Sequence, residues 1–287
     1  MTTTTVTTRE AAEVAAANAS GRRPVVFVHG LWLLAGSWDP WRARFEEEGY
    51  ATVAVDWPGD QPTVAEAHSN AASLAGTSVA DVADHVAEVI GGLDQQPIVV
   101  GHSFGGLLVQ IIAGRGIAAG TVTIDPAPSK GVLPLPFSAL KAAFPVLGNP
   151  LNRGRTVTLT FGEFRYGFAN AVPEQEARHL YETLHTPAPG RPLFQAATAN
   201  VVPWSTATRA DHRNPERGPM LVVTGEKDNI VPFALANAAY KRQAKNAQHP
   251  TEIVEIPGVG HSLVIDSHWT EVADAALAFL GKHGLAA

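Results

Sequence analysis

The sequence predicts an α/β fold, a doubly wound and mostly parallel sheet that carries an inserted, mainly helical segment. Short apolar runs rich in β-branched residues alternate with stretches of helical periodicity in the first half of the chain. The same alternation returns near the end of the chain. Between the two regions, an interval rich in proline and aromatic residues breaks the rhythm, and we interpret it as the insertion.

Six runs predict the strands of the sheet. The first four runs are nearly continuous in apolar residues, which is typical of strands covered on both faces. The predicted strands are Pro24–His29, Ala51–Asp56, Pro97–Gly101, Thr121–Asp125, Pro219–Thr224 and Thr251–Ile256. Helical spacing of apolar residues predicts helices over 79–93, 104–114, 233–245 and 269–280. Parallel strands joined in this way require right-handed crossovers.

This pattern divides the chain into three parts. Residues 1–20, which are rich in Thr and Ala, are expected to form a flexible N-terminal tail. Residues 21–126 and 219–287 should form the core, and residues 127–218 a cap or lid insertion. Within the insertion, we expect short helices at Ser138–Phe144, Phe161–Phe168 and Glu174–Leu184.

Composition excludes several classes of function. The formal net charge is -6 and no basic cluster is present, which argues against nucleic-acid binding. The chain has no cysteine, so disulfides and thiolate chemistry are excluded. We find neither a signal-peptide pattern nor an uninterrupted apolar run of membrane-spanning length. We therefore expect a cytoplasmic protein, a monomer or homodimer, that uses no membrane, metal or other cofactor.

The segment Gly101-His102-Ser103-Phe104-Gly105 matches the pattern G-x-S-x-G. It lies between a predicted strand and a predicted helix, which is the context that this pattern requires. Small residues two positions before and after the serine let strand and helix approach closely, so that the hydroxyl stands clear of the sheet. Ser103 is therefore our candidate nucleophile.

A serine hydroxyl needs a base, and the base needs an acid to orient it. His261 follows the last predicted strand on a glycine-rich loop, and we assign it as the base. The order Ser, Asp, His along the chain favours Asp228, just past the strand 219–224, as the acid. Asp125, at the end of the preceding strand, is the alternative.

An oxyanion that forms during acyl transfer needs two hydrogen-bond donors. We expect the backbone N–H of Phe104 as one donor and that of Leu31 as the other, with Trp32 as the alternative to Leu31. His29 should form hydrogen bonds within the same loop. Aromatic residues on the loops and in the insertion predict an apolar substrate pocket. The expected pocket residues are Trp32, Trp57, Phe137 and Phe164.

These motifs together resemble the α/β-hydrolase superfamily. The resemblance rests on His29-Gly30, Gly101–Gly106, Gly225–Asp228 with Val231-Pro232, and Gly260-His261. It extends over nearly the whole chain and is similar to the general bacterial alpha/beta hydrolases, among them carboxylesterases, lactonases and C–C bond hydrolases. It implies a cap over the site. Members often begin with two antiparallel strands before the His-Gly strand, which the sequence here does not provide.

The nucleophile type narrows the chemistry. Haloalkane dehalogenases and epoxide hydrolases of this superfamily use an aspartate nucleophile, so the resemblance with Ser103 argues against both. We expect a serine hydrolase that cleaves a carboxylic ester or lactone of a small, largely apolar substrate through an acyl-enzyme on Ser103. The alternatives are a C–C bond hydrolase or lyase that uses the same three residues, and a ligand receptor of the same fold with slow turnover.

Overall fold

The computed structural model describes residues 6–133 and 136–287. Its main sheet has six strands in the order β2-β1-β3-β4-β7-β8, and every neighbouring pair is parallel. The strands are β1 Pro24–Val28, β2 Ala51–Val55, β3 Ile98–His102, β4 Gly120–Ile124, β7 Met220–Gly225 and β8 Thr251–Ile256. Two short antiparallel strands, β5 Thr156–Val157 and β6 Ala188–Pro189, form a second sheet.

Eleven α-helices lie in the described residues. They are α1 Thr8–Ser20, α2 Asp39–Glu47, α3 Val64–Ser69, α4 Val79–Gly91, α5 Phe104–Gly114, α6 Phe137–Leu147, α7 Phe161–Gly167, α8 Glu174–Leu184, α9 Arg191–Thr198, α10 Phe233–Gln243 and α11 Trp269–Lys282. The predicted doubly wound α/β class is therefore confirmed. No helix among these is long and apolar enough to cross a membrane.

Five strands of the sheet bury both of their faces, whereas the edge strand β8 is largely half-buried. In β1, Val26 and Val28 pack with α4 and α5, whereas Val25 and Phe27 pack with α2 and α11 on the opposite face. This alternation explains why the strands have continuous apolar sequences rather than a polar–apolar pattern.

The strand order places the functional loops side by side. The chain crosses from β1 outward to β2 and then back to β3, so the order reverses between β1 and β3. Open α/β sheets bind ligands at the carboxyl ends of strands where such a reversal occurs. Val28 pairs with Gly101, and the loop after β1 therefore begins beside the serine motif at the end of β3.

The N-terminal region differs from the expected flexible tail. Residues 8–20 form α1, which is capped by Thr7 and Glu10 and packs on β2. Glu13 accepts a hydrogen bond from the Ala54 N–H at 3.0 Å, and Glu10 accepts one from the Asp56 N–H at 3.0 Å. These carboxylates satisfy donors at the edge of the sheet, so residues 8–20 are ordered by tertiary contacts that composition does not reveal. Residues 1–5 lie outside the described residues.

The segment between β4 and β7 is mainly helical, as expected. Helices α6, α7 and α8 lie where the sequence predicts helices. Helix α9 was not predicted, and Pro192 lies in its first turn, where proline is favoured. That residues 127–218 behave as a separate cap stays a prediction. In the described residues no strand precedes β1, in agreement with the shortened sheet edge.

Candidate active site

Ser103 lies in a sharp turn between β3 and α5. Its backbone has φ 57° and ψ −119°, a conformation that a non-glycine residue adopts only under strain. A Cβ at position 101 would lie 2.3 Å from the Gly105 carbonyl oxygen, and a Cβ at position 105 would lie 2.0 Å from that of Val28. Glycine is therefore required at both positions. The predicted strand–serine–helix turn is the observed local structure.

His261 and Asp228 form a short, fully buried hydrogen bond beside this turn. Nδ1 of His261 lies 2.6 Å from Oδ2 of Asp228. The other oxygen of Asp228 accepts hydrogen bonds from the N–H groups of Ile230 and Val231 at 2.6 and 2.8 Å. Since the carboxylate only accepts, Nδ1 of His261 carries the proton, and its Nε2 is left with a free lone pair.

The loop that carries His261 is held by the end of α7. The Ser262 N–H donates to the Phe168 carbonyl at 2.9 Å, and the Phe168 ring meets the His261 ring edge-on at a centroid distance of 4.9 Å. Asn170 donates to the Lys227 carbonyl at 2.8 Å, one residue before Asp228. The inserted segment therefore positions both the histidine and the acid.

No hydrogen bond joins Ser103 to His261 in the described part of the chain. Nε2 of His261 is buried without a partner. The Ser103 hydroxyl lies on the side of Gly30, 3.4 Å from the position that a Cβ of Gly30 would take. Such bonds are often long or misaligned in free enzymes and tighten when substrate is bound.

Asp125, the alternative acid, is also buried next to His261. Its Oδ2 lies 4.0 Å from Nδ1 of His261, beyond hydrogen-bond distance. Its Oδ1 accepts a hydrogen bond from the Gly225 N–H at 3.0 Å. Burial raises the pKa of Asp125 well above its usual range, and the adjacent charge of Asp228 raises it further. The geometry favours Asp228 as the partner of His261, with Asp125 buried behind it.

His102 is fully buried next to His261, with ring centroids 4.5 Å apart. Neither of its ring nitrogens has a hydrogen-bond partner in the described residues. Burial lowers the pKa of His102 well below its usual value, and repulsion from His261 lowers it further, so the ring is neutral. Donor atoms of His102, Asp125 and His261 lie within 4.8 Å of one another. We assign no ion there, because burial raises the pKa of Asp125 well above its usual range and disfavours the anion that would bind one.

The loop after β1, from which the second oxyanion donor is expected, lies directly against the serine. A Cβ at position 30 would lie 2.8 Å from the Ser103 Cβ, so only glycine lets this loop approach the serine. In the described residues, neither the N–H of Leu31 nor that of Phe104 donates to a protein acceptor. Both donors are therefore free for an oxyanion. Phe104 begins α5, whose positive dipole end faces the same point.

Trp32 connects this loop to the inserted segment. Its backbone has φ 66°, its indole N–H donates to the Val157 carbonyl at 3.0 Å, and its own carbonyl accepts from the Thr186 N–H at 3.0 Å. Its ring meets Phe168 edge-on at a centroid distance of 6.0 Å.

Ser103 lies in the wall of an apolar cavity of about 130 Å³. Apart from Ser103 its walls are mostly aliphatic, and they include Trp32, Leu140, Leu193, Ile230 and Leu235. Of the four expected pocket residues, Trp32 alone lines this cavity. The other three assignments are corrected, since Trp57 packs beside His29, Phe164 is buried against Phe168, and Phe137 is 80% exposed. Aromatic character alone did not predict which side chains face the serine.

Sequence reasoning also missed a buried pair behind the loop. Nε2 of His29 lies 2.9 Å from Oδ2 of Asp60, in the turn after β2, and each side chain is 2% exposed. The expected bond within the loop is present, between Nδ1 of His29 and the Gly30 carbonyl at 2.8 Å. The sequence does contain a signal for this pair. Asp60 lies in a Pro-Gly-Asp turn just after a predicted strand, at the same end of the sheet as the loop after β1.

Comparison with known proteins agrees with this architecture. The Paleococcus ferrophilus monoacylglycerol lipase superposes with a TM-score of 0.62 at 22% identity, over 91% of this chain and 94% of that one. An extracellular alpha/beta-hydrolase from a Paenibacillus species gives 0.64 at 19% identity, over 89% and 98%. A pyrethroid hydrolase from Sphingobium faniae gives 0.61 at 18% identity, over 90% and 97%. No curated protein sequence matches the chain. The model of the alpha/beta hydrolase family matches residues 25–275, and the chain therefore belongs to that family.

Proposed function

We propose that this hydrolase cleaves carboxylic esters or lactones of small, largely apolar substrates through an acyl-enzyme on Ser103. The proposal rests above all on the His261–Asp228 hydrogen bond of 2.6 Å, which leaves an unpartnered imidazole nitrogen at the turn that carries Ser103. Solved structures of similar fold include proteins named as a lipase, an esterase and pyrethroid hydrolases.

The chemistry follows from the groups present. Oγ of Ser103 attacks the substrate carbonyl carbon while Nε2 of His261 takes the hydroxyl proton. The oxyanion forms between the N–H groups of Leu31 and Phe104. Collapse of this intermediate breaks the bond to the leaving group, which takes the proton from His261. Water then adds to the acyl-enzyme by the same route and releases the acid and Ser103.

The cavity favours an aliphatic acyl group. Few polar atoms line the cavity, and its walls consist mostly of Ala, Leu, Ile and Val side chains. Burial of apolar groups there contributes roughly 25 cal/mol for each Å² removed from water. A cavity of about 130 Å³ accommodates a short chain rather than a long one. We therefore expect kcat/KM to rise and then fall as the acyl chain of p-nitrophenyl esters lengthens.

The size dependence has a direct test. Ala143 lines the cavity, and Ala143→Trp should lower kcat/KM for butyrate much more than for acetate. Ala16→Trp, on the exposed face of α1, is the matched control and should change neither. Equal losses for both esters in Ala143→Trp would show that the cavity does not hold the acyl group.

The role of Ser103 is tested by labelling and turnover together. A fluorophosphonate probe should label wild-type protein at Ser103, and Ser103→Ala should lower kcat by several orders of magnitude. Ser69→Ala, in an exposed helix, is the control. A Ser103→Ala variant with more than a tenth of wild-type turnover would remove this residue from the mechanism. Labelling without turnover of any ester or lactone would instead favour the receptor of slow turnover.

Location and assembly are further parts of the proposal. We propose a cytoplasmic protein that acts as a monomer or homodimer. Fractionation of the producing cells and light scattering of the purified protein test the two statements.

A further inference from the structure

His29 has two hydrogen-bond partners that can only accept. Nδ1 lies 2.8 Å from the Gly30 carbonyl oxygen, and Nε2 lies 2.9 Å from Oδ2 of Asp60. The ring is 2% exposed, so water does not replace either partner. A neutral imidazole has one N–H and one lone pair, and it can satisfy one acceptor only. Two acceptors therefore require the doubly protonated, positively charged ring.

The surroundings of His29 favour that charge. Burial alone lowers the pKa of His29, but the charge of Asp60 and the hydrogen bonds to Asp60 and Gly30 outweigh burial, and the pKa is raised. Asp56, at the end of β2, contributes in the same direction, although its carboxylate is paired with Arg9 at 2.8 Å. His102 faces His29 from β3 and is neutral, so it adds little opposing charge.

Asp60 is itself fixed in place. The carboxylate oxygen that binds His29 also accepts a hydrogen bond from the Trp57 N–H at 2.6 Å. The Trp57 indole N–H in turn donates to the His29 carbonyl at 3.2 Å. The loops after β1 and β2 are thus joined by two hydrogen bonds, one from His29 to Asp60 and one from the Trp57 indole to the His29 carbonyl.

The bond from His29 to Gly30 determines where the next N–H points. The Gly30 carbonyl and the Leu31 N–H belong to one planar trans peptide, so they point in opposite directions. By holding the Gly30 carbonyl, His29 also fixes the direction of the Leu31 N–H. Gly30 itself packs against Ser103, so the N–H that His29 fixes belongs to the loop beside the serine.

We propose that His29 and Asp60 are a positioning pair that orients the Leu31 N–H for the oxyanion, and that they do so while His29 is an imidazolium. The inference rests on the proposed function. Neither side chain touches the substrate. When His29 loses its proton, one ring nitrogen presents a lone pair to an acceptor, and either the Gly30 bond or the Asp60 bond is lost. Because the group acts in its protonated form, kcat should be full below its raised pKa and fall as the pH rises through it.

The charge of His29 can be measured without activity. In wild-type protein at about pH 6, ¹⁵N chemical shifts should report protons on both ring nitrogens, with the resonances assigned by their loss in His29→Gln. In Asp60→Asn the ring should become neutral at a lower pH than in wild type. A neutral His29 in active wild-type protein would overturn this proposal and leave the proposed function intact.

The role of the pair is measured by kinetics. Asp60→Asn should lower kcat for p-nitrophenyl butyrate by about 10- to 100-fold with KM within about twofold, because an oxyanion donor acts on the transition state. The alkaline fall in kcat should move to lower pH in this variant. The exposed Asp94→Asn is the matched control and should match wild type.

His29→Gln separates positioning from mere stability. It should remove the alkaline fall in kcat that titration of His29 causes. The melting temperature of the variant is measured in parallel, so that a loss of stability is recognised. Asp60→Asn with wild-type kcat and an unchanged pH profile would overturn the proposal. Wild-type protein that hydrolyses no ester or lactone, but shows an imidazolium at His29, would instead refute the proposed function.

Discussion

Two buried histidine–aspartate pairs lie on the loops around Ser103. In the first pair, His261 bonds to Asp228 through Nδ1, and its Nε2 has no partner. In the second pair, His29 bonds to Asp60 through Nε2, and its Nδ1 bonds to the Gly30 carbonyl. The distances are similar, 2.6 and 2.9 Å, and all four side chains are buried.

The difference between the pairs lies in the partner of the second nitrogen. A second acceptor favours the charged form of His29, whereas the absence of one leaves His261 with a lone pair that can take a proton. A general base requires a free lone pair, as in His261, whereas a positioning group requires both ring nitrogens to be bonded, as in His29. The same two residue types therefore serve different purposes, and the local backbone decides which.

The largest effect is expected from His261→Ala. Loss of the base should lower kcat on the order of 10⁶-fold, as when an essential member of such a triad is removed, with the protein still folded. Steady-state kinetics with p-nitrophenyl butyrate would measure the loss of kcat. If His29→Gln lost as much activity as His261→Ala, the two histidines would not have distinct roles.

Substitution of the two carboxyl groups near His261 should have unequal effects. Asp228→Asn should lower kcat by about 10⁴-fold, because an amide favours the wrong tautomer of the histidine. Asp125→Asn replaces a carboxyl that forms no hydrogen bond with His261 by an amide of the same shape, and at least a tenth of the activity should remain. Measured kcat values in the reverse order would transfer the role of the acid to Asp125.

Gly30→Ala tests the oxyanion side alone. The added Cβ would lie 2.8 Å from the Ser103 Cβ, so the loop must move away from the serine. Displacement of one oxyanion donor should lower kcat by about 10²- to 10³-fold. Gly91→Ala is the control, because a Cβ there has no heavy atom within 4 Å. Wild-type kcat in Gly30→Ala would exclude this loop from the mechanism.

A third buried histidine–carboxylate pair lies outside the site. Nε2 of His85 is 3.0 Å from Oε1 of Glu10, and this pair should affect stability alone. Burial would raise the pKa of Glu10, but hydrogen bonds from His85 and from the backbone of Thr7 and Asp56 lower it below its usual value. A lowered pKa means that this stabilisation is present above the pKa of the unfolded chain and is lost as the pH falls through that of the folded protein.

Glu10→Gln should therefore lower the free energy of unfolding by about 1–3 kcal/mol near neutral pH, with kcat unchanged. Urea unfolding at several pH values would measure the loss, which should shrink toward acid pH. The exposed Glu47→Gln is the matched control. A fall in kcat in Glu10→Gln would show that this pair is linked to the site.

Local sequence predicted the elements that depend on neighbours along the chain. The strand before Ser103, the helix after it and the glycines around it follow from steric limits within five residues. The position of α8 follows from helical periodicity in the same way. By contrast, α1 was expected as a flexible tail, because its order depends on backbone donors of β2, which are distant in the sequence.

The sequence by itself determined the α/β class, the serine turn and His261 as the expected base, since spacing and glycine placement encode them, and it left Asp228 and Asp125 as the two candidate acids. Tertiary structure alone decided that Asp228 rather than Asp125 contacts His261, that aliphatic side chains line the cavity at Ser103, and that Asp60 meets His29. The physical reason is distance along the chain. A hydrogen bond or a cavity wall between remote segments depends on how helices and loops pack, and periodicity within one segment carries no record of it.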